Sequence, residues 1–369
     1  MKGLRKYISP FTPDQSGAVS VLYGCGGMLI IMDAGGCVGN ICGFDEPRWL
    51  DSRSAVFSAG LRDLDAILGR DDLLIKKTRE ALADVDAVFV GLIGTPVPSV
   101  IATDYRALKR LMEKDYGIPV IPVETNGMEL YDRGQDKAYR QLFAEFAGNG
   151  GAGEEECGGE VCDIGIIGAT PLDTPAKDSP EHLRALCGGR AVCYGAGDGI
   201  RDVMNAHAVK KNLVVSPSGL GIARRMKEEA GIPYETGYPV EKAYCEKFLS
   251  RLEQCSPHKV LVIHQQIFAD GIRQKAAELP GVNEADTATW FMLDKEIMKS
   301  GDAKLREEDD LMELVTERGY DTVIGDPLFR RALPGWKGNY FSLPHFAVSG
   351  SLHAAENEED YWRNAGELI

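Results

Sequence analysis

Nine cysteines and six histidines carry most of the chemistry this 369-residue chain can offer. Two cysteines stand out by placement. Cys37 and Cys42 lie five positions apart in the stretch Asp33-Ala34-Gly35-Gly36-Cys37-Val38-Gly39-Asn40-Ile41-Cys42-Gly43, directly after the apolar run Met28-Leu29-Ile30-Ile31-Met32. Thiolates are soft ligands that select iron–sulfur clusters or zinc, and Gly35, Gly36 and Gly39 would let the backbone come close to such a group. A four-thiolate cluster needs further sulfurs, from elsewhere in the chain or from a second subunit. The spacing equally suits two small apolar residues in a tight packing spot. Cys25 precedes the apolar run, and a strand rising about 3.3 Å per residue carries it to the opposite end of the sheet. It should therefore share no cluster with Cys37 inside one chain.

The other candidates are weaker by pattern. Cys157 and Cys162 fall in a glycine- and glutamate-rich stretch, make at most half a zinc site, and read as a non-functional surface pair. Cys187, Cys193, Cys245 and Cys255 are scattered and read as core filling. His345, in Pro344-His345-Phe346, follows an apolar segment where a ligand or proton donor could act. Asp326, in Gly325-Asp326-Pro327, and His264, closing Lys-Val-Leu-Val-Ile-His, sit at segment ends that could reach the same crevice. Each also has a plain reading, as a structural histidine or a loop former. Gly195-Ala196-Gly197-Asp198-Gly199 lacks the last glycine of a dinucleotide loop and reads as a strand-to-helix turn. The sequence holds no P-loop and no Gly-x-Ser-x-Gly elbow, which leaves ATP hydrolysis and serine hydrolysis without support.

The elements that would position these residues alternate between strand and helix. Residues 16–23 predict a short helix capped by Ser16 or Asp14, followed by a strand over 28–32. Helical spacing over 53–68 and 72–82 precedes a strand at 87–93, a helix at 105–116 and a strand at 119–123. A second unit carries strands at 164–167, 190–194 and 212–216 with a helix at 222–230, and a third carries strands at 259–264, 322–324 and 340–343 with a helix at 265–279. This is an α/β chain of three Rossmann-like, doubly wound parallel-sheet units. The boundaries fall at 1–147, a linker or insertion at 148–162, 163–256, and 257–369, with an acidic tail at 356–360 read as solvated surface. In such sheets ligands bind beyond the carboxyl ends of the strands, where Cys37, His264, Asp326 and His345 all fall.

With 56 acidic against 41 basic residues the net charge is −15, which argues against a nucleic-acid partner. A hydrophobic content of 44% and a charged content of 26% suit a globular chain. No apolar run approaches the roughly 18–20 residues of a membrane helix, and no signal-type segment follows the basic N-terminus, so a cytoplasmic location is expected. Cysteines there are expected to be reduced, buried or metal-bound.

Taken together, these pieces resemble the nitrogenase component 1-type family. That family includes the nitrogenase catalytic subunits, the cofactor-assembly scaffold pair, the dark-operative protochlorophyllide reductase and the reductive cyclase of coenzyme F430 synthesis. Asp33-Ala34-Gly35-Gly36-Cys37 resembles its glycine-rich loop with a cluster cysteine, and Glu46-Pro47-Arg48-Trp49 is similar to the segment that follows. Leu64-Asp65-Ala66-Ile67-Leu68-Gly69, Val90-Gly91-Leu92-Ile93-Gly94, Lys211-Asn212-Leu213-Val214-Val215, Gly231-Ile232-Pro233 and Pro344-His345-Phe346-Ala347-Val348-Ser349-Gly350 resemble later landmarks. Other family cysteines would fall near Ser9 to Thr12, Gly94-Thr95 and Val215-Ser216, where this chain has none, so nitrogen fixation and a P-cluster of the usual form are not expected.

The resemblance implies a reductase subunit that takes electrons from an ATP-dependent iron–sulfur reductase protein. They would pass through a [4Fe–4S] cluster at a subunit interface to an unidentified substrate, with His345, His264 and Asp326 on the substrate side and a further metallocofactor left open. Cys37 and Cys42 from each of two chains would supply four thiolates in a homodimer. A related subunit would supply the remainder in a heterodimer or heterotetramer. The alternatives are a non-catalytic scaffold or carrier for metallocofactor assembly and a cluster-free small-molecule binding protein.

Overall fold

The computed structural model describes residues 5–50, 54–62, 65, 69–148, 162–174, 176, 178–188, 190–195 and 199–369. Three parallel sheets organise them. The first comprises β1 (Gly27–Ile31), β2 (Ala55–Ser58), β3 (Phe89–Ile93) and β4 (Val120–Val123) in the order β2-β1-β3-β4. The second comprises β5 (Ile164–Ile167), β6 (Ala191–Tyr194), β7 (Lys211–Val214) and β8 (Tyr234–Thr236) in the equivalent order β6-β5-β7-β8. The third adds β9 (Lys259–Ile263), β10 (Glu284–Thr289), β11 (Ala303–Lys304), β12 (Thr322–Gly325) and β13 (Asn339–Ser342) in the order β11-β10-β9-β12-β13. The central strands β1 and β3 are buried along their whole length, which is why they read as unbroken apolar runs. In each sheet the strand order reverses at one point: between β1 and β3, β5 and β7, and β9 and β12. Crevices open beyond the carboxyl ends of strands at such points.

The helix Tyr131–Phe146 ties the first two units together. Its Gly134 and Gly17 of the helix Asp14–Leu22 bring the two backbones into contact. A Cβ on Gly17 would lie 1.8 Å from the Tyr131 carbonyl oxygen, and one on Gly134 would lie 1.7 Å from that of Asp14. The opposite side of the same helix meets the second sheet, where the Tyr139 hydroxyl donates to the Tyr194 carbonyl at 3.1 Å and Phe143 packs edge-on to Tyr194. The N-terminal segment reaches the third unit instead. Phe11 packs among Trp290, Phe291 and Phe329, and Glu308 accepts the backbone N–H groups of Lys6, Tyr7 and Ile8.

Several expectations change. The helical spacing over 53–68 gives way to the edge strand β2, whose Val56 lies opposite Leu29, while 63–64 and 66–68 lie outside the described residues. A half-covered strand of four residues carries too little pattern to distinguish it from a helix turn. Asp14 does not cap its own helix. Its carboxylate accepts from the Asn126 and Gly127 N–H groups in the loop after β4. Residues 149–161, with Cys157, lie outside the described residues, whereas Cys162 is buried and is not a free thiol, so the reading as a surface pair fails there. The acidic tail is only partly solvated: Glu358 is buried, accepting from the Ser179 hydroxyl and the Trp362 indole N–H.

Candidate functional site

Two groups of residues answer to the candidates. The first is the cysteine segment beyond β1. Asp33 is buried and organises it: one carboxylate oxygen accepts the Val38 N–H at 2.9 Å and the other the Ser58 hydroxyl at 2.6 Å. The chain then forms a short helix, Gly36–Asn40, entered through Gly35 at φ +118°, and a π-helical turn, Ile41–Asp45, closed by the Glu46 N–H on the Ile41 carbonyl. Where the sequence suggested a glycine loop, the structure has two helical turns. Single π turns recur at functional sites. Side chains behind the turn fix it. Asp45 accepts from Ser16 and Asn40 at 2.6 Å each, and Arg48 forms a two-pronged pair with buried Glu46 while donating to the Ser20 carbonyl.

Cys37 and Cys42 are half-buried free thiols. Burial pushes both thiols up, and nearby Asp33 and Glu46 respectively add to the effect. Cβ atoms built on Gly35, Gly36, Gly39 and Gly43 meet nothing within 4 Å, so the space around this segment is open. Among the described residues no three or more His, Cys, Asp or Glu side chains gather as a metal site. One chain thus offers two thiols and room, half of a four-thiolate set. Cys25 lies before β1, at the far end of the sheet, its thiol donating to the Val21 carbonyl.

The second group lies where the three units meet, and here the structure brings the three predicted residues together. His264 follows β9, Asp326 follows β12 and His345 follows β13, at the carboxyl edge of one sheet. The two imidazoles stack with ring centroids 4.0 Å apart and planes within 18°. Asp326 holds the turn beneath them, accepting the His345 and Leu328 N–H groups at 2.9 Å each. Two residues from the other units complete the group. The Tyr131 hydroxyl lies 2.9 Å from His345 Nε2 and donates to Asp173 Oδ1, which itself lies 3.8 Å from that nitrogen. Phe291 closes one side, with its ring 4.7 Å from His345 and 5.1 Å from Tyr131. Backbone bonds lock the junction: Ala347 donates to Leu172, Thr12 to Ala347, and Tyr131 to Thr12.

All five polar side chains are buried, and burial sets their protonation. It lowers His345 to about 3 and, with His345 beside it, lowers His264 well below its ordinary range. It raises Asp173 to about 7 against the opposing Tyr131 and Ser216 hydroxyls, and Asp326 to about 6 against its two backbone donors. Tyr131 is pushed well above 10, by burial first and then by Asp173. Near neutral pH the two histidines and Tyr131 are therefore neutral, Asp173 is divided between its protonated and ionised forms, and Asp326 is mostly ionised. His345 Nδ1 makes no hydrogen bond among the described residues, and an unpaired buried polar atom costs about 1–3 kcal/mol. A cleft of about 680 Å³ lies beside both groups, lined by Asn40, Phe44 and Asp45 of the cysteine segment and by Ala347, Val348 and Ser349 just after His345; neither the two thiols nor the five junction side chains form its wall.

Residues 15–280 match the family model for nitrogenase component 1 type oxidoreductases. The chain belongs to this family. A solved structure of nitrogenase Cp1 at pH 6.5 shares the fold, with a TM-score of 0.70 over 98% of this chain and 90% of that one at 12% identity. A second, of nitrogenase Cp1 at pH 5, gives 0.60 over 87% and 73% at 16% identity. Among curated relatives, the nitrogenase iron-molybdenum cofactor biosynthesis protein NifE of Bradyrhizobium diazoefficiens is 27% identical over 49% of this chain and 33% of its own length. That of Clostridium pasteurianum is 28% identical over 48% and 38%. The chain spans about a third of the length of the curated relatives it matches.

Within this nitrogenase component 1-type chain, sequence reasoning missed Tyr131 and Asp173. Tyr131 opens a helix of the first unit and Asp173 ends the Thr170-Pro171-Leu172-Asp173 turn beyond β5. The one available signal was position, since that turn also lies at a carboxyl end where the strand order reverses. The glycine stretch after β6 leads into the helix Ile200–Met204, with 196–198 outside the described residues. No helix among the described residues is long and apolar enough to cross a membrane.

Proposed function

We propose that this chain is a nitrogenase-like reductase subunit in which the buried junction delivers protons to a substrate reached through the cleft. The observation that carries this reading is the gathering of buried Tyr131, Asp173, His264, Asp326 and His345, with neutral histidines and an Asp173 that exchanges its proton near pH 7, beside a cleft lined in part by the cysteine segment and by Ala347, Val348 and Ser349. Reduction needs electrons and protons delivered to one place, and a dry, low-dielectric junction holds protons best on neutral donors. Asp326 orients His345 through its backbone, His264 supports the ring by stacking, and Phe291 limits water at its edge.

Cys37 and Cys42 would hold the iron–sulfur cluster, with Gly35, Gly36 and Gly39 leaving room for it. Such a cluster, [4Fe–4S] in the simplest case, supplies single-electron transfer when bound. Two thiols per chain call for a second copy or a related subunit, and Phe44, Trp49 and Leu50 expose apolar side chains beside the segment where such a partner would cover them. An ATP-dependent iron–sulfur reductase protein is the expected electron donor. Cytoplasmic location fits this reading.

A second reading, a scaffold or carrier for metallocofactor assembly, is favoured by the similarity to NifE proteins over half of this chain. Iron and sulfide analysis of anaerobically purified protein, with electron paramagnetic resonance after dithionite reduction, tests the cluster. About four irons per dimer, lost in Cys37→Ala, supports it; background iron in the parent protein sinks it. Oxidation of the reduced cluster by added substrate candidates on repeated turnover separates enzyme from scaffold.

A further inference from the structure

The hydrogen bonds at the junction form a line: Asp173 Oδ1, the Tyr131 hydroxyl, His345 Nε2, and across the ring His345 Nδ1, which is unpaired. A tyrosine hydroxyl between two such groups can donate to one of them at a time. When it donates to an ionised Asp173, His345 must carry its proton on Nε2 to satisfy the tyrosine oxygen, and Nδ1 is a bare acceptor. When Asp173 is protonated and donates to the tyrosine oxygen, the hydroxyl turns to Nε2, and the histidine proton must sit on Nδ1. The ring is neutral in both arrangements. We propose that Tyr131 and Asp173 are positioning residues that set the tautomer of His345, so that a proton taken up or released at Nδ1 is stored on or drawn from Asp173.

The balance is complete. A proton arriving at Nδ1 moves the Nε2 proton to the Tyr131 oxygen and the tyrosine proton to Asp173. One proton enters, one carboxylate is neutralised, and no covalent bond other than O–H and N–H changes. Delivery runs the same steps backwards. The route suits this location because burial opposes an imidazolium: His345 is held down to about 3, whereas Asp173, raised to about 7, can take the proton near neutral pH.

The groups that face the line are few. Ser216, Tyr139 and Tyr238 bear on Asp173, and Asp132, with Lys304 and Arg133 beside it, bears on Tyr131. His264 and Phe291 flank His345, and Asp326 meets it through the backbone N–H, with Ser349 and Tyr361 behind that carboxyl. No lysine or arginine is in hydrogen-bond or ion-pair contact with Asp173 among the described residues, so its proton depends on this line.

The inference rests on the proposed role of the junction in proton delivery, but its test needs neither cluster nor substrate. Protein labelled with 15N-histidine is followed by one-bond and long-range 1H–15N spectroscopy from pH 5.5 to 8.5, with His345 assigned by its loss in His345→Gln. The expected result is a neutral His345 throughout, protonated on Nε2 at high pH and on Nδ1 at low pH, with the change centred near neutrality. Tyr131→Phe, which removes only the hydroxyl, and Asp173→Asn should each abolish the change, and far-UV circular dichroism checks that both fold. A tautomer fixed across the range in the parent protein, a doubly protonated ring, or an unaltered change in either folded variant overturns the proposal. Should either variant fail to fold, the parent titration and the remaining variant still decide. A pH-dependent tautomer in protein that binds no iron would leave this line standing and refute the cluster instead.

Discussion

Replacing Asp173 with asparagine should stabilise the protein at and above neutral pH relative to its effect in acid. Burial raises the Asp173 carboxyl from 3.8 to about 7. The folded chain therefore holds this proton more tightly than the unfolded chain. Below pH 4 both states are protonated; between 4 and 7 the unfolded state ionises first, and stability falls as pH rises. About three pH units at 1.36 kcal/mol each make the full loss roughly 4 kcal/mol. Asparagine cannot ionise, so the variant lacks this slope. With an unfolding entropy of about 2.1 cal/mol/K per residue over 369 residues, roughly 4 kcal/mol corresponds to about 5 °C in melting temperature. The assay is the melting temperature of parent and variant at pH 5, 6, 7 and 8, read as the difference between them; this range samples about two of the three units, so the difference should change by about 3–4 °C. His345, depressed to about 3, contributes the opposite slope, with stability gained as pH rises towards 6.5. That slope is common to both proteins and cancels in the difference. A gap between variant and parent that is the same at pH 5 and pH 8 would refute the assignment of a strained, proton-holding Asp173.

Cys37→Ala should abolish cluster-bound iron while leaving the circular dichroism of the chain unchanged, as metal analysis of anaerobic preparations would register. Arg48→Ala leaves buried Glu46 without its two-pronged partner and should cost about 3–5 kcal/mol, with Arg48→Lys restoring only part because a point charge cannot bridge both oxygens; thermal melts give the order. Gly134→Ala places a methyl group 1.7 Å from the Asp14 carbonyl oxygen and should yield insoluble or strongly destabilised protein, whereas Gly237→Ala, with nothing within 4 Å, should behave as the parent in expression and melting.

What the sequence revealed follows the physics of parallel sheets. Strands buried on both faces announce themselves as apolar runs, so β1, β3, β5 and β9 were legible, and so was the placement of His264, Asp326 and His345 beyond strand ends of one sheet. Edge strands such as β2 and the two-residue β11 bury too little to leave a pattern. Tyr131 and Asp173 were hidden for a different reason. They come from separate units, 42 residues apart in sequence, and only tertiary packing brings them to His345. Glu358 was hidden by its neighbours, because one buried carboxylate in an acidic run looks like the rest until Ser179 and Trp362 are seen to face it.

The same packing explains why the junction can hold so many titratable groups without charge. A buried network is stable when its members are fixed closely enough to satisfy one another, and costly when they are not. Here the fixing is done by backbone. The glycine contact between the helices Asp14–Leu22 and Tyr131–Phe146 sets the position of Tyr131, and the bonds from Leu172 to Ala347 to Thr12 to Tyr131 set the three units around it. Side chains at the centre then need supply no ion pairs to hold the units together, and burial is free to keep the two histidines neutral and to let Asp173 hold its proton up to about pH 7. Loosening the backbone frame should therefore admit water and move the titration of Asp173 back towards its ordinary value, even where the variant retains every side chain of the junction.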